Sequence, residues 1–359
     1  MEKNNLKKSV TFILPSNLDK PIGGYKIIYQ YANFLSAKGY NVNLVFLYKL
    51  KFPGSILDVM DRFLHKLLKR YYKWDISWFS FKKNINIIYY PLKKIELPDS
   101  DIVVASAART VPLVNSLSDS KGKKFYFIQN YEAEEFGNTQ KYLHSTYNFN
   151  MGNIVISKDL EKKVLDSGAK KPFYLPNFYD SSEFFCTNSI EKRQNIVSLL
   201  YHEAPSKRSK LGLEILKEVK KVIPDLKVEL FGATEPNFDL DEFVNFTLKA
   251  DAEQLREEIY GKSKIYLMPS ILEGWGLTGL ESMACGAALI ASNIGGITEY
   301  ADNKNSILVE ADNKALFIKN IIKLLSQDSE RIRYAEQGLR DASEFTLEKS
   351  GKKLLDILA

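Results

Sequence analysis

The sequence predicts a two-domain α/β protein with a parallel sheet in each domain. Three observations lead there: a length of 359 residues, short apolar runs alternating with amphipathic stretches, and an aperiodic Pro- and Ser-containing stretch in the middle. At about 150 residues per domain such a chain makes two domains, each large enough for its own core. Strand patterns separated by helical patterns are the mark of parallel β-α-β units.

In order, residues 10–14 (VTFIL) read as a buried strand and Pro21-Ile22-Gly23-Gly24 as a turn. From 25 to 38 apolar residues fall at 27, 28, 31, 32 and 35, a helical spacing that Gly39 ends. Further strands are predicted at 42–47, 85–89, 102–105, 125–128 and 154–156, and a helix over 158–165. Residues 171–188, with Pro172 and Pro176, carry no sustained period and read as the interdomain crossing. The second series has strands at 196–200, 228–231, 265–268 and 288–291. Its helices are expected at 211–222, 277–285, 314–325 and 329–343. The predicted domains are 1–180 and 190–339, with a last helix of about 340–359 packing back on the first domain.

Hydrophobic residues make up 45% and charged residues 26%, ordinary for a globular protein. No apolar run reaches the roughly 18 residues of a membrane span. The run at 10–14 is too short for a signal-peptide core, so a cytoplasmic location is expected. Cys186 and Cys285 lie far apart without a CxxC pair, and His65, His144 and His202 are scattered. Neither a disulfide framework nor a zinc site is expected.

The charge is localised. Between Lys49 and Lys83 stand nine Lys or Arg against three Asp, and that excess equals the whole formal net charge of +6. Residues 51–83 add Phe52, Phe63, Tyr71, Tyr72, Trp74, Trp78, Phe79 and Phe81. Leu57, Met60, Leu64, Leu67, Leu68 and Tyr71 recur there at helical spacing. One reading is a peripheral helix docking on an anionic membrane surface at the inner face of the cell membrane. The other is an amphipathic helix packed on its own domain with the cations in solvent. No recognition motif accompanies the charge, so nucleic acid is not an expected partner.

The informative stretch is Pro269-Ser-Ile-Leu-Glu273-Gly274-Trp275-Gly276-Leu277-Thr278-Gly-Leu-Glu281-Ser-Met-Ala-Cys-Gly286, which follows the strand at 265–268. A glycine-rich turn leads into a helix opening near Leu277. Gly274 and Gly276 lack a Cβ, so ligand oxygens can approach the backbone. The helix start offers unpaired N–H groups and the positive end of its dipole, which suits a diphosphate. Glu273 stands at the mouth of the strand, where ligands of open α/β sheets bind. Glu281 lies about one turn into the helix, placed for sugar or ribose hydroxyls. Glycine-rich strand-to-helix turns are common, and two Glu eight apart also occur by chance.

The run PSILEGWGLTGLESMACGAALIAS, with its E-x7-E pattern of Glu273 and Glu281, resembles the signature of family 4 of the GT-B fold glycosyltransferases. The loop Asn293-Ile-Gly295-Gly296-Ile-Thr298-Glu299-Tyr300 resembles that family's Gly-Gly-x-x-Glu segment. The resemblance implies two Rossmann-like domains facing each other across a cleft. It implies a retaining, metal-independent transfer of a sugar from a nucleotide diphosphate to a polysaccharide or lipid-linked glycan acceptor. By it, Glu273 contacts the donor sugar and backbone N–H groups from Gly274 through Trp275, Gly276 and Leu277 to Thr278 hold the diphosphate. Glu281 binds the ribose, and Gly23 and Gly24 let the first domain approach the donor phosphates. No cofactor is implied, the nucleotide sugar being a substrate. The two Asp-x-Asp strings fit this: Asp99 and Asp101 precede a strand rather than follow one, and Asp239 and Asp241 read as a loop capping a following helix.

The chain departs from the family in two places. The family's early Arg at the start of the second domain is missing from Tyr201-His202-Glu203-Ala-Pro-Ser-Lys207-Arg208-Ser-Lys210. The leaving diphosphate still needs cations, which assigns them to Lys207 and Arg208 against the alternative of a solvated loop. The His that many members carry after the fifth strand is replaced within Gln129-Asn130-Tyr131-Glu132-Ala-Glu134-Glu135. Acceptor-side roles then pass to Asn130, Tyr131 or a carboxylate. This run and the PIGGYKIIYQYA start are closer to rhamnosyltransferases using dTDP-rhamnose than to members with UDP- or GDP-sugars. A dinucleotide oxidoreductase is disfavoured because the first strand leads into PSNLDKPIGGYK, without G-x-G-x-x-G. A non-catalytic nucleotide-sugar or glycan-binding protein on the same fold is the alternative function.

Overall fold

The computed structural model describes residues 8–16, 21–47, 60, 67, 76–89, 93–132 and 139–359. Of the segment 51–83, for which membrane docking and packing on its own domain are the two readings, residues 60, 67 and 76–83 are described. There Trp78, Phe79 and Phe81 pack on Tyr29 at ring distances of 5.4, 5.2 and 4.9 Å. The rest of it lies outside the described residues, as do Glu134 and Glu135. Among the described residues no helix is long and apolar enough to cross a membrane. The chain divides into two compact units, Met1–Leu175 with Gly351–Ala359, and Pro176–Ser350.

The first unit is a parallel seven-stranded sheet of β1 (Ser9–Leu14), β2 (Asn41–Phe46), β3 (Ile85–Tyr89), β4 (Ile102–Ala105), β5 (Lys123–Ile128), β6 (Gly152–Val155) and β7 (Phe173–Tyr174). Its order is β3-β2-β1-β4-β5-β6-β7. Helices α1 (Gly23–Ala37), α2 (Val111–Asn115), α3 (Gln140–Tyr147) and α4 (Lys158–Asp166) connect the strands. The apolar stripe of α1 buries Ile27, Ile28, Tyr31, Ala32 and Leu35. Asp101 accepts hydrogen bonds from the Ser9 N–H at 2.7 Å and the Ser9 hydroxyl at 2.8 Å, fastening the start of β1 beside β4. Asp99 pairs with Lys121 at 2.9 Å.

The second unit has β8 (Ile196–Tyr201), β9 (Lys227–Gly232), β10 (Val244–Leu248), β11 (Ile265–Met268), β12 (Ala288–Ser292) and β13 (Ser306–Val309). The order is β10-β9-β8-β11-β12-β13, again all parallel. Every residue of β11 and β12 is buried, as strands covered on both faces must be, which is why they read as unbroken apolar runs. Its helices are α5 (Ser209–Lys220), α6 (Leu277–Ala284), α7 (Lys314–Ser326), α8 (Asp328–Ala342) and α9 (Leu347–Leu358). Val197, Leu199, Leu230, Leu267, Ile290 and Phe317 centre its core. The last helix spans the division between the units, since residues from Gly351 onward group with the first.

The helix expected after Asp239 and Asp241 is absent; the edge strand β10 stands there instead. Asp241 caps no helix: its carbonyl accepts the Val244 N–H at 2.9 Å and its carboxylate meets Lys217 at 3.0 Å. An edge strand that buries no residue fully and carries polar Asn245 and Thr247 has no apolar run to announce it.

Candidate functional site

Strand order positions the site. In the second unit β8 lies between β9 and β11, so connections leave its two sides in opposite senses. The loops after β8 and β11 therefore meet at the carboxyl edge of the sheet, the place where such folds bind ligands. The meeting is direct, because the Ile271 N–H donates to the Ser206 carbonyl at 2.8 Å.

The turn between β11 and α6 is built around Gly276. Its φ of +87° and ψ of +55° lie in the left-handed region at the N-cap of α6, where an L side chain is strained. A Cβ there would also lie 2.8 Å from Met268 Cε and 3.0 Å from the Tyr300 hydroxyl. That hydroxyl donates to the Gly276 carbonyl at 2.8 Å. On the other side the Gly296 N–H donates to the Glu273 carbonyl at 3.3 Å. Gly296 sits so close that a Cβ would fall 2.2 Å from the Gly274 oxygen. The turn is thus gripped by the 206 carbonyl, the 295–299 loop and Tyr300. Its orientation toward the first N–H groups of α6, which have no intrahelical acceptor, is a property of packing.

Glu273 is 8% exposed and its Oε1 accepts from the Lys207 ammonium at 2.7 Å. Lys207 ends the helical turn Pro205–Lys207 after β8. Together with Tyr266, Ser270 and Thr278 the pair lines a cavity of about 10 Å³. Tyr266 hydrogen-bonds the Thr278 side chain, and burial holds its phenol protonated far above the usual range. Burial does the same to Tyr300 and Tyr260, reinforced by the charge of Glu273 at Tyr300 and of Glu281 at Tyr260. The charges of both carboxylates add to this rise at Tyr266 and Tyr300. Glu281 itself is 7% exposed.

One predicted side chain points elsewhere. Arg208 is not brought to Glu273: its guanidinium donates to the Ala311 carbonyl at 2.9 Å and pairs with Asp312 at 2.7 Å. Consecutive residues in a tight turn diverge, and Arg208, at φ +52°, is where the backbone swings. It lines a separate hollow of about 390 Å³ with His202, Lys210 and Asn237. His202 folds its own loop, accepting the Ala204 N–H at Nδ1 over 3.0 Å. The Trp275 side chain, 2% exposed, packs inward on Tyr300 and Phe345 at ring distances of 5.8 and 5.5 Å. Only its backbone is left for a ligand.

In the first unit, Gly23 and Gly24 open α1. The Gln129 amide donates to the Gly24 carbonyl at 3.1 Å, joining that helix start to the 129–132 run. Asn130 Oδ1 accepts the Tyr131 N–H at 2.9 Å, and the Tyr131 hydroxyl lies 3.4 Å from His144 Nε2. Glu132, 8% exposed, takes the Ala108 N–H on both oxygens, at 3.0 and 3.1 Å.

Residues 180–341 match the family model described as glycosyl transferases group 1. This segment is a group 1 glycosyltransferase domain. It contains the whole Lys207–Glu273–Glu281 constellation. A D-inositol 3-phosphate glycosyltransferase of Corynebacterium urealyticum is 32% identical over 100 residues, 28% of this chain and 24% of that protein. The match thus spans about a quarter of that relative. An uncharacterized glycosyltransferase of Methanocaldococcus jannaschii is 24% identical over 268 residues, 72% of this chain and 68% of that protein. Among solved structures, Staphylococcus aureus TarM with UDP and α-GlcNAc-glycerol superposes with a TM-score of 0.74 at 13% identity, covering 98% of this chain and 99% of that one. Anabaena HepE with UDP and glucose gives 0.72 at 15% identity, with 98% and 99% covered. These likenesses establish the GT-B fold.

Sequence reasoning missed several supports of the group 1 domain. The wide helical turn Leu255–Tyr260, closed by the Gly261 N–H on the Arg256 carbonyl at 2.9 Å, carries Tyr260 to Glu281. Such i→i+5 turns are frequent at functional sites, but no sequence pattern marks one. Tyr300 read only as the end of the Gly-Gly loop. A Tyr four residues beyond that Gly pair was the available signal.

Proposed function

We propose that the protein is a retaining, metal-independent glycosyltransferase. It moves a sugar from a nucleoside diphosphate to a glycan or lipid-linked acceptor. The observation that carries this reading is the contact of Lys207 with Glu273 beside a left-handed glycine turn that opens α6, within a group 1 domain.

Each part has a task in that chemistry. The start of α6 and the Lys207 ammonium stabilise the charge that grows on the departing diphosphate. Glu273 accepts hydroxyls of the donor sugar and Glu281 those of the ribose. Retention follows from a front-face displacement: the departing phosphate oxygen takes the acceptor proton as the new glycosidic bond forms on the same face. The protein supplies position and field rather than a nucleophile. The donor is dTDP-rhamnose or a UDP- or GDP-sugar, UDP being the nucleotide held by TarM and HepE.

The test is a thermal-shift screen of dTDP-, UDP- and GDP-sugars, followed by transfer or slow hydrolysis of the binder. One donor class is expected to stabilise the protein and to turn over with retained anomeric configuration, unaffected by excess chelator. Inversion, or loss of turnover with chelator, contradicts the mechanism. Binding without any transfer or hydrolysis supports a non-catalytic binding protein instead.

Gly296→Ala probes the grip on the turn. A Cβ 2.2 Å from the Gly274 oxygen forces backbone apart, and displacing donor-holding groups by about 1 Å costs about 100-fold in kcat. That loss, with a melting temperature lowered by only a few degrees, is the expected result. Unchanged kcat would show that the loop does not position the turn.

A further inference from the structure

The Lys207–Glu273 pair has a consequence beyond binding, and it rests on the reading above. Glu273 is one of the most enclosed carboxylates of the second unit, its side chain 7% exposed, while the Lys207 side chain is 25% exposed. Separating an enclosed carboxylate from its cation leaves a costly unpaired charge. Lys207 also lines the cavity beside the start of α6, where a diphosphate binds in that reading. The ammonium therefore has two claimants, the carboxylate and the phosphates.

The two possible nucleotides treat this conflict differently. A nucleotide sugar that draws Lys207 toward its phosphates also presents sugar hydroxyls to Glu273, so both charged groups stay satisfied. A bare nucleoside diphosphate offers Glu273 no donor. It leaves that carboxylate unpaired and adds like charge nearby. We propose that the Lys207–Glu273 ion pair is a release latch: it opens for a nucleoside diphosphate carrying a sugar, and it re-forms as the sugar departs, displacing the spent nucleoside diphosphate. Glu273 is then the residue that sets selectivity for loaded over spent donor.

Glu273→Gln tests this with opposite signs. Glutamine keeps the shape and one acceptor but removes the charge that competes for Lys207. Calorimetric titration of the wild-type protein and E273Q would use UDP, GDP and dTDP and the sugar nucleotide that the wild type binds. E273Q is expected to bind the bare diphosphate about 10-fold more tightly than wild type, the equivalent of about 1.4 kcal/mol, and the sugar nucleotide more weakly. Product inhibition should deepen in parallel. A second measurement needs no variant: the donor's monosaccharide at saturation should tighten binding of the bare diphosphate to the wild-type protein, and that coupling should be lost in E273Q. Bare-diphosphate affinity unchanged or weakened in E273Q, with wild-type binding of the sugar nucleotide intact, overturns the latch alone. Absence of the monosaccharide coupling in wild type overturns it too, should E273Q fail to fold. No binding of any nucleotide sugar by the wild type overturns the reading of the site and the latch with it.

Discussion

Glu281→Ala is expected to weaken nucleotide binding by at least about 100-fold and to abolish the thermal response to the cognate donor. The carboxylate sits 7% exposed on α6. In the proposed site it accepts two ribose hydroxyls, and each hydrogen bond to a charged group contributes about 1.5–3 kcal/mol. Two such bonds correspond to a factor of about 100 or more in Kd. The full loss should fall on every ribonucleotide, whatever the sugar, and a loss of about 10-fold or more on dTDP, whose deoxyribose offers a single hydroxyl. This indifference to the sugar separates Glu281 from Glu273. Isothermal titration of the nucleoside diphosphate checks the prediction, and Glu281→Gln should recover part of the affinity. Wild-type affinity in the alanine variant would remove Glu281 from the donor site and make it a structural neighbour of Tyr260.

Arg193→Ala is expected to cost about 4 kcal/mol and to lower the melting temperature by about 10 °C, on the scale of a few degrees per kcal/mol for a domain of this size. Arg193 is 7% exposed. Its guanidinium donates to four carbonyls: Tyr260 at 3.2 Å, Ser263 at 2.8 Å, Gly286 at 2.7 Å and Cys285 at 2.6 Å. These carbonyls end the wide helical turn and α6, the two elements that carry Tyr260 and Glu281. Truncation takes a donor from each of the four acceptors in a place water reaches poorly, although the Tyr260 carbonyl keeps the Ser263 N–H at 3.3 Å. Differential scanning calorimetry reads the outcome, and a fall of less than about 3 °C would mean the carbonyls find other donors. Arg193→Lys should recover little, because a point ammonium cannot serve four acceptors spread over a planar fork.

The positions of these two residues show how far local pattern carries. Glu281 was legible because the motif sits inside one continuous strand-turn-helix, and its spacing from Glu273 is a property of adjacent residues. The strands at 102–105 and 265–268 were legible in full, because burial on both faces demands unbroken apolar runs. Arg193 was not legible. An Arg in an aperiodic polar stretch reads as solvated, and its burial depends on carbonyls 67 to 93 residues away. Arg331, fully buried and donating to the Ile190 carbonyl at 3.0 Å, was hidden for the same reason. Strand β10 escaped because an edge strand needs only a neighbour to hydrogen-bond with, and that neighbour is chosen by topology.

Sequence by itself determined the α/β alternation, the glycine turn opening a helix, and the two carboxylates on either side of it. Tertiary structure alone decided which cation meets which carboxylate. Lys207 and Arg208 are indistinguishable as neighbours in the chain, yet one joins Glu273 and the other turns to Ala311 and Asp312. The physical reason is range: hydrophobic period and turn chemistry act over a few residues, whereas this pairing spans 66 positions and exists only because β8 and β11 lie side by side.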